Sequence, residues 1–143
     1  MAELFENRIL LIPLAAWLIS QVIKVIIGLL VDRKLDLMLL TSAGGMPSAH
    51  SAMVAAITTE IAQHQGLNSP LFALSVVFAI IVMYDAAGVR RTVGTHARLL
   101  NRLFEEILVE HQWDEARLRE VVGHTPLQVL DGAVFGTTLS LVA

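Results

Sequence analysis

The chain has no cysteine, which excludes disulfides, a thiolate nucleophile and any cysteine-based metal site. It is also poor in charge: only 16% of its 143 residues are Asp, Glu, Lys or Arg, and ten basic against thirteen acidic residues leave a formal net charge of −3. So few basic side chains cannot serve folding and also form a broad phosphate-tracking surface, so nucleic acid is set aside as a partner. Residues Met1 to Arg8 lack the basic start and small-residue cleavage site of a signal peptide, and the first apolar segment is expected to be retained. What the chain does have is apolar residues, 55% of the total, with a mean hydropathy of +0.67. A single domain of this composition belongs in a membrane.

Ile9 to Val31 carries only Gln21 and Lys24 as strongly polar side chains and is long enough to cross the ~30 Å hydrocarbon core. Asp32 to Asp36 is an interfacial stop, and Leu37 to Ser42 leads into a glycine turn. Pro47 to Gln63 reads as a second helix, rich in small residues but too polar to face lipid all round. After the turn at His64 to Pro70, Leu71 to Val89 is a strongly apolar third helix that acquires Tyr84 and Asp85 before reaching Arg90 and Arg91. From Thr95 to Glu120 the composition turns charged, with Leu99, Leu100, Leu103, Phe104, Ile107 and Leu108 at helical spacing opposite Glu105, Glu106 and Glu110. That pattern predicts an amphipathic interfacial helix, with a break near Gln112 and Trp113 and Asp114 as an N-cap for its continuation. Leu127 to Val142 is the last apolar helix, interrupted by Gln128, Asp131, Gly132 and Gly136. The expected fold is an all-α integral membrane bundle spanning 1–143, with about four transmembrane helices and an amphipathic insert over 94–122.

The basic residues Arg33, Lys34, Arg90, Arg91, Arg98, Arg102, Arg117 and Arg119 follow the first and third apolar segments, and Arg8 lies on the other side. The positive-inside rule then makes those loops cytoplasmic and brings three polar clusters to the cytoplasmic face. The first is Gly44-Gly45-Met46-Pro47-Ser48-Ala49-His50-Ser51, a glycine turn followed by Pro at a first helical position and Ser and His in the first turn. Backbone N–H groups, a hydroxyl and an imidazole at a positive helix end make an anion cradle. The second is Arg90 and Arg91, permanently charged planar forks, and the third is His124. Lys24, about two turns inside the first segment, can snorkel to the same place. Phosphoryl transfer needs these parts: positive charge and N–H donors on the oxygens, a nucleophile, and a proton for the leaving oxygen.

Pro47-Ser48-Ala49-His50 resembles the Pro-Ser-Gly-His motif of the type 2 phosphatidic acid phosphatases and vanadium haloperoxidases. Gly123-His124-Thr125-Pro126 resembles their last motif, and Met83-Tyr84-Asp85-Ala86-Ala87-Gly88-Val89-Arg90-Arg91 completes the set found in a divergent membrane branch of that family. The resemblance spans nearly the whole chain. It implies that Ser48 and the Ala49 N–H, with the Gly45 turn, bind phosphate, that His50 is the general acid/base, that Arg90 or Arg91 clamps the phosphoryl group and that His124 is the nucleophile. It also implies a metal-independent lipid phosphate phosphatase working through a phosphohistidine, with no cofactor. Four departures stand out. Ala49 replaces the usual glycine. The first motif survives as Lys24, with Arg33 the one candidate for its Arg and no proline. The last motif is split by the insert between Arg91 and His124. The Asp usual one turn after the nucleophile is Gln128, for which Asp131 or Asp85 would have to substitute. That departure lends weight to a second reading, a non-catalytic membrane protein that binds or passes an anionic headgroup.

Other polar residues carry blander expectations. His96 lies six residues after Arg90, the family's Arg-to-His spacing, but Leu100 stands where Asp is wanted. His64 and His111 read as solvated, Glu60 as structural and the 105–110 acidic face as solvated rather than metal-binding. No ligand set for a metal is evident. Asp85, at the margin of an apolar helix, requires a partner such as Arg90, Arg91 or Lys24. The expected partners are the bilayer and a lipid phosphate, and the small-residue faces of the second and last helices would suit a homodimer.

Overall fold

The computed structural model describes residues 5–33, 40, 44–107 and 123–143; residues 1–4, 34–39, 41–43 and 108–122, among them Lys34, His111 and the break expected at Gln112 to Asp114, lie outside them. Five helices account for the described chain: α1 (Arg8–Asp32), α2 (Ala49–Gln65), α3 (Pro70–Ala87), α4 (Val89–Ile107) and α5 (Pro126–Val142). The architecture is an all-α membrane bundle with no strand among the described residues. Residues 8–31 and the run 70–104 are long and apolar enough to cross a membrane by length and composition, and α5 is a shorter apolar helix. Trp17, Leu18, Val22 and Ile26 on α1 and Leu74, Val77, Phe78, Ile80 and Ile81 on α3 point outward. An apolar shell around a polar interior is what a lipid solvent favours.

Local signals start the helices. Asn7, Ser48, Ser69 and Thr125 each take an extended conformation and accept a backbone N–H of the first turn, which satisfies groups a helix start leaves orphaned. Two boundaries differ from the sequence expectation. Pro47 is not the first helical residue, because Ser48 behind it is extended (φ −71°, ψ 109°) and caps α2 through its hydroxyl, so the helix begins at Ala49. The amphipathic helix starts at Val89 rather than Thr95, with only Gly88 separating it from α3, and Arg90 and Arg91 therefore stand in a helical turn and not in a loop.

α2 is the central helix, in contact with α1, α3 and α5. It fills this place because its buried face is small: Ala49, Ala52 and Ala56 are fully buried beside Ser48 and Ser51. α5 runs parallel to it and approaches backbone to backbone. A Cβ on Gly132 would stand 2.3 Å from the Ser48 carbonyl oxygen, and one on Gly136 2.0 Å from that of Ala52. The Gly-x-x-x-Gly pair that reads in sequence as an interruption is thus the packing face of α5. The small-residue faces that suggested a homodimer face each other within one chain. Hydroxyls inside the bundle are satisfied locally: Ser20, Thr58, Thr59 and Ser75 donate to the carbonyls of Ala16, Val54, Ala55 and Phe72 at 2.7–2.9 Å.

Candidate active site

Parallel α2 and α5 bring two helix N-termini to one end of the bundle, where the C-terminal end of α3 also arrives. Three backbone contacts fix the convergence. The Ser48 N–H donates to the Gln128 carbonyl at 3.2 Å, and the His124 N–H donates to the Ala86 carbonyl at 3.1 Å. Gly123 lies flat on the start of α4: a Cβ there would be 2.3 Å from the Arg91 nitrogen and 2.7 Å from the Arg90 carbonyl carbon. The glycine before His124 is therefore required by the backbone of the arginine pair, and two motifs distant in sequence form one joint. Two positive helix ends side by side favour an anion between them.

His124 is the largest fully buried side chain, 1% exposed, and the half-buried His50 ring packs against it edge-on with centroids 6.5 Å apart and planes at 62°. Lys24, 3% exposed, reaches them from α1, its stem lying where a Cβ on Gly45 would be 3.6 Å away. Gly45 holds φ +90°, a conformation that favours glycine, as the chain turns over the lysine. Arg90 Nε donates to Asp85 Oδ2 at 2.7 Å, and both charges, with Lys24, lie close enough to act on His50. Asp85 thus has the partner it was expected to require. Ahead of α5, burial first and then the charges of Lys24 and His50 pull the His124 imidazole down to about 4. The ring is neutral near pH 7, the form in which a nitrogen lone pair can attack.

Of the other residues singled out in the sequence, Ser48 and Ala49 are fully buried. The Ser48 hydroxyl accepts from the Ser51 N–H at 3.4 Å and the Ser51 hydroxyl at 2.9 Å, so Ser48 closes the first turn of α2 while its own N–H serves Gln128. Gln128 forms a capping box: its Oε1 accepts the Thr125 N–H at 2.8 Å and the Thr125 hydroxyl accepts the Gln128 N–H at 3.3 Å. The Gln128 amide and the Gly45 backbone lie beside His124, but neither ring nitrogen has a hydrogen-bond partner at bonding distance and angle. Asp131 is exposed on α5, and Arg91 is exposed on α4, in contrast to half-buried Arg90. His96 is exposed. Among the described residues no group of three or more His, Asp or Glu side chains could hold a metal ion.

Sequence reasoning did not include Gln21 in the site. It is 6% exposed on the face of α1 that carries Lys24, and its Oε1 has no hydrogen-bond partner. The available signal was position: a polar residue three before Lys24 in an otherwise apolar span shares its face.

No solved structure is detectably similar to the chain. It is 45% identical over 151 aligned positions to a protein of Bacillus subtilis (strain 168) described as an uncharacterized membrane protein, YuiD, and the alignment covers 98% of this chain and 96% of that one. A membrane relative and two helices of membrane-crossing length place the chain in a membrane. A sequence model of the family described as "Divergent PAP2 family" matches residues 5–139, and it covers all the residues gathered around His124, so the chain belongs to the divergent PAP2 family.

Proposed function

We propose that the protein is a lipid phosphate phosphatase whose helices α1, α2, α3 and α5 cross the membrane, with its site on the cytoplasmic side. The observation that carries this reading is the pairing of a buried His124 with His50 beside Lys24 and Arg90, at two converging helix N-termini. Arg90, held by Asp85, and Lys24 bind the non-bridging oxygens, with the Ala49 N–H at the start of α2. The neutral His124 ring attacks phosphorus in line. As the N–P bond forms, the bond from phosphorus to the lipid oxygen breaks, and His50 gives that oxygen its proton. Water then attacks the phosphohistidine and passes a proton to His50, which frees inorganic phosphate and restores both rings. The arginine assignment goes to Arg90 because Arg91 is exposed and Arg90 acts on His50.

The test is phosphate release from lipid monophosphates by the purified protein in mixed micelles, with His124→Ala alongside. Wild-type release that His124→Ala reduces by about 10³-fold or more supports the nucleophile assignment. Unchanged release by His124→Ala rejects it.

One observation favours the second reading, a membrane protein that binds or passes an anionic headgroup without hydrolysing it. Among the described residues no carboxylate acts on His124: Gln128 is engaged in its cap, Asp85 is bound to Arg90 and Asp131 is exposed. Saturable binding of a lipid phosphate with no phosphate release would establish that alternative.

A further inference from the structure

Five buried side-chain polar atoms among the described residues lack a hydrogen bond. One, Glu60 Oε2, has His64 Nε2 at 3.4 Å. The other four are Gln21 Oε1, His50 Nδ1 and both ring nitrogens of His124. Buried polar groups in native proteins are nearly always partnered, so an unpartnered set marks where something else binds. Gln21 is the member that the phosphoryl chemistry leaves unused. It stands three residues before Lys24, the spacing of neighbours on a helix surface, and Lys24 acts on both histidines. The nearby Ser20 hydroxyl does not serve it, since that group donates to the Ala16 carbonyl at 2.8 Å.

The chemistry of the orphan atom is informative. A phosphoryl dianion offers acceptors, and Lys24, Arg90 and N–H groups supply the donors it needs. An amide carbonyl oxygen is itself an acceptor and gains nothing from a dianion; it requires an O–H or N–H. We propose that Gln21 is a specificity residue that accepts a hydrogen bond from a hydroxyl neighbouring the phosphate of the ligand. The preferred lipid is then one whose phosphate-bearing headgroup carries a free hydroxyl, such as a phosphorylated glycerol, rather than one whose phosphate sits directly on diacylglycerol or a polyprenyl chain. This rests on the reading of the site as one for lipid phosphates, and it requires only binding, not turnover.

The experiment uses the full chain carrying His124→Ala in phosphatidylcholine nanodiscs, so that no ligand is consumed. Two short-chain probes are compared by calorimetry: phosphatidylglycerol phosphate, and its deoxy analogue in which hydrogen replaces the headgroup hydroxyl. The parent should bind about tenfold more tightly than the analogue, the range of one neutral hydrogen bond. Adding the near-isosteric Gln21→Met should abolish that difference while leaving the analogue's affinity within about twofold. Equal affinities for the two probes overturn the proposal without any variant of Gln21, and so does a preference that survives Gln21→Met. Phosphate release by wild-type protein is read separately. Preference without release rejects the hydrolase and keeps the Gln21 role, whereas failure of both probes to bind rejects both.

Discussion

The two ends of the α2–α5 pair contrast. At the N-terminal end stand His50 and His124 with buried ring nitrogens that nothing in the described chain satisfies. Toward the other end, Glu60 is equally buried, but its Oε1 accepts from the Ser140 hydroxyl at 2.5 Å and its Oε2 faces His64. Gln63 adds a bond to the Ser140 carbonyl at 3.5 Å. Both ends place ionisable groups inside a membrane bundle, which is expensive. At one end the cost is offset by partners from the same chain, so the cluster ties α2 to α5. At the other the partners are missing among the described residues, as the ligand site proposed above requires.

The largest expected effect that separates the ends is on activity. Given release of phosphate by the wild type, Arg90→Lys should lower kcat/KM by about 10- to 100-fold through loss of the planar fork, while Arg91→Lys and Glu60→Gln stay within about threefold. Equal losses from Arg90→Lys and Arg91→Lys would erase the distinction drawn from burial. Stability should respond in the opposite pattern. Gly136→Leu forces a side chain onto the Ala52 carbonyl and should destabilise by about 3 kcal/mol or more, seen as a lower thermal midpoint in detergent. Glu60→Ala leaves the Ser140 hydroxyl without its acceptor and should cost about 1–3 kcal/mol with little change in kcat; a midpoint equal to wild type would show that the far cluster is not a tie.

The smallest expected effect is the response to acid. The folded His124 sits at about 4 against an ordinary value near 6.5, so the unfolded chain binds the proton more readily. Its contribution to stability is therefore complete above pH ~6.5 and is lost as pH falls toward 4. The thermal midpoint should drop across that window, and less steeply in His124→Ala. A parallel fall in both proteins would move the acid sensitivity to another group.

Much of this was legible before folding. The apolar spans and the three polar motifs each depend on neighbours within a few residues, and local sequence reports such dependence directly, whereas Ser48 reads in sequence as a residue of the first turn and caps the helix instead. The roles of particular residues were less legible. Arg90 and Arg91 are adjacent and chemically alike, and only the turn of α4 separates a half-buried partner of Asp85 from an exposed side chain. Gln128 reads as a substituted carboxylate until its amide is found closing the Thr125 cap. Gly132 and Gly136 read as interruptions until α2 lies against them.

By itself the sequence determined an apolar, cysteine-free, all-α chain with family motifs before α2, between α3 and α4, and before α5, because hydropathy and local turn chemistry act over one or two turns. Only the tertiary structure decided that α2 and α5 run parallel at backbone contact, and this brings His50 beside His124. It also decided that Gln21 joins Lys24 on the buried face of α1 and that Glu60 is answered by Ser140. Those outcomes depend on which helix faces meet, and that is settled by close packing of small residues across long separations in the chain.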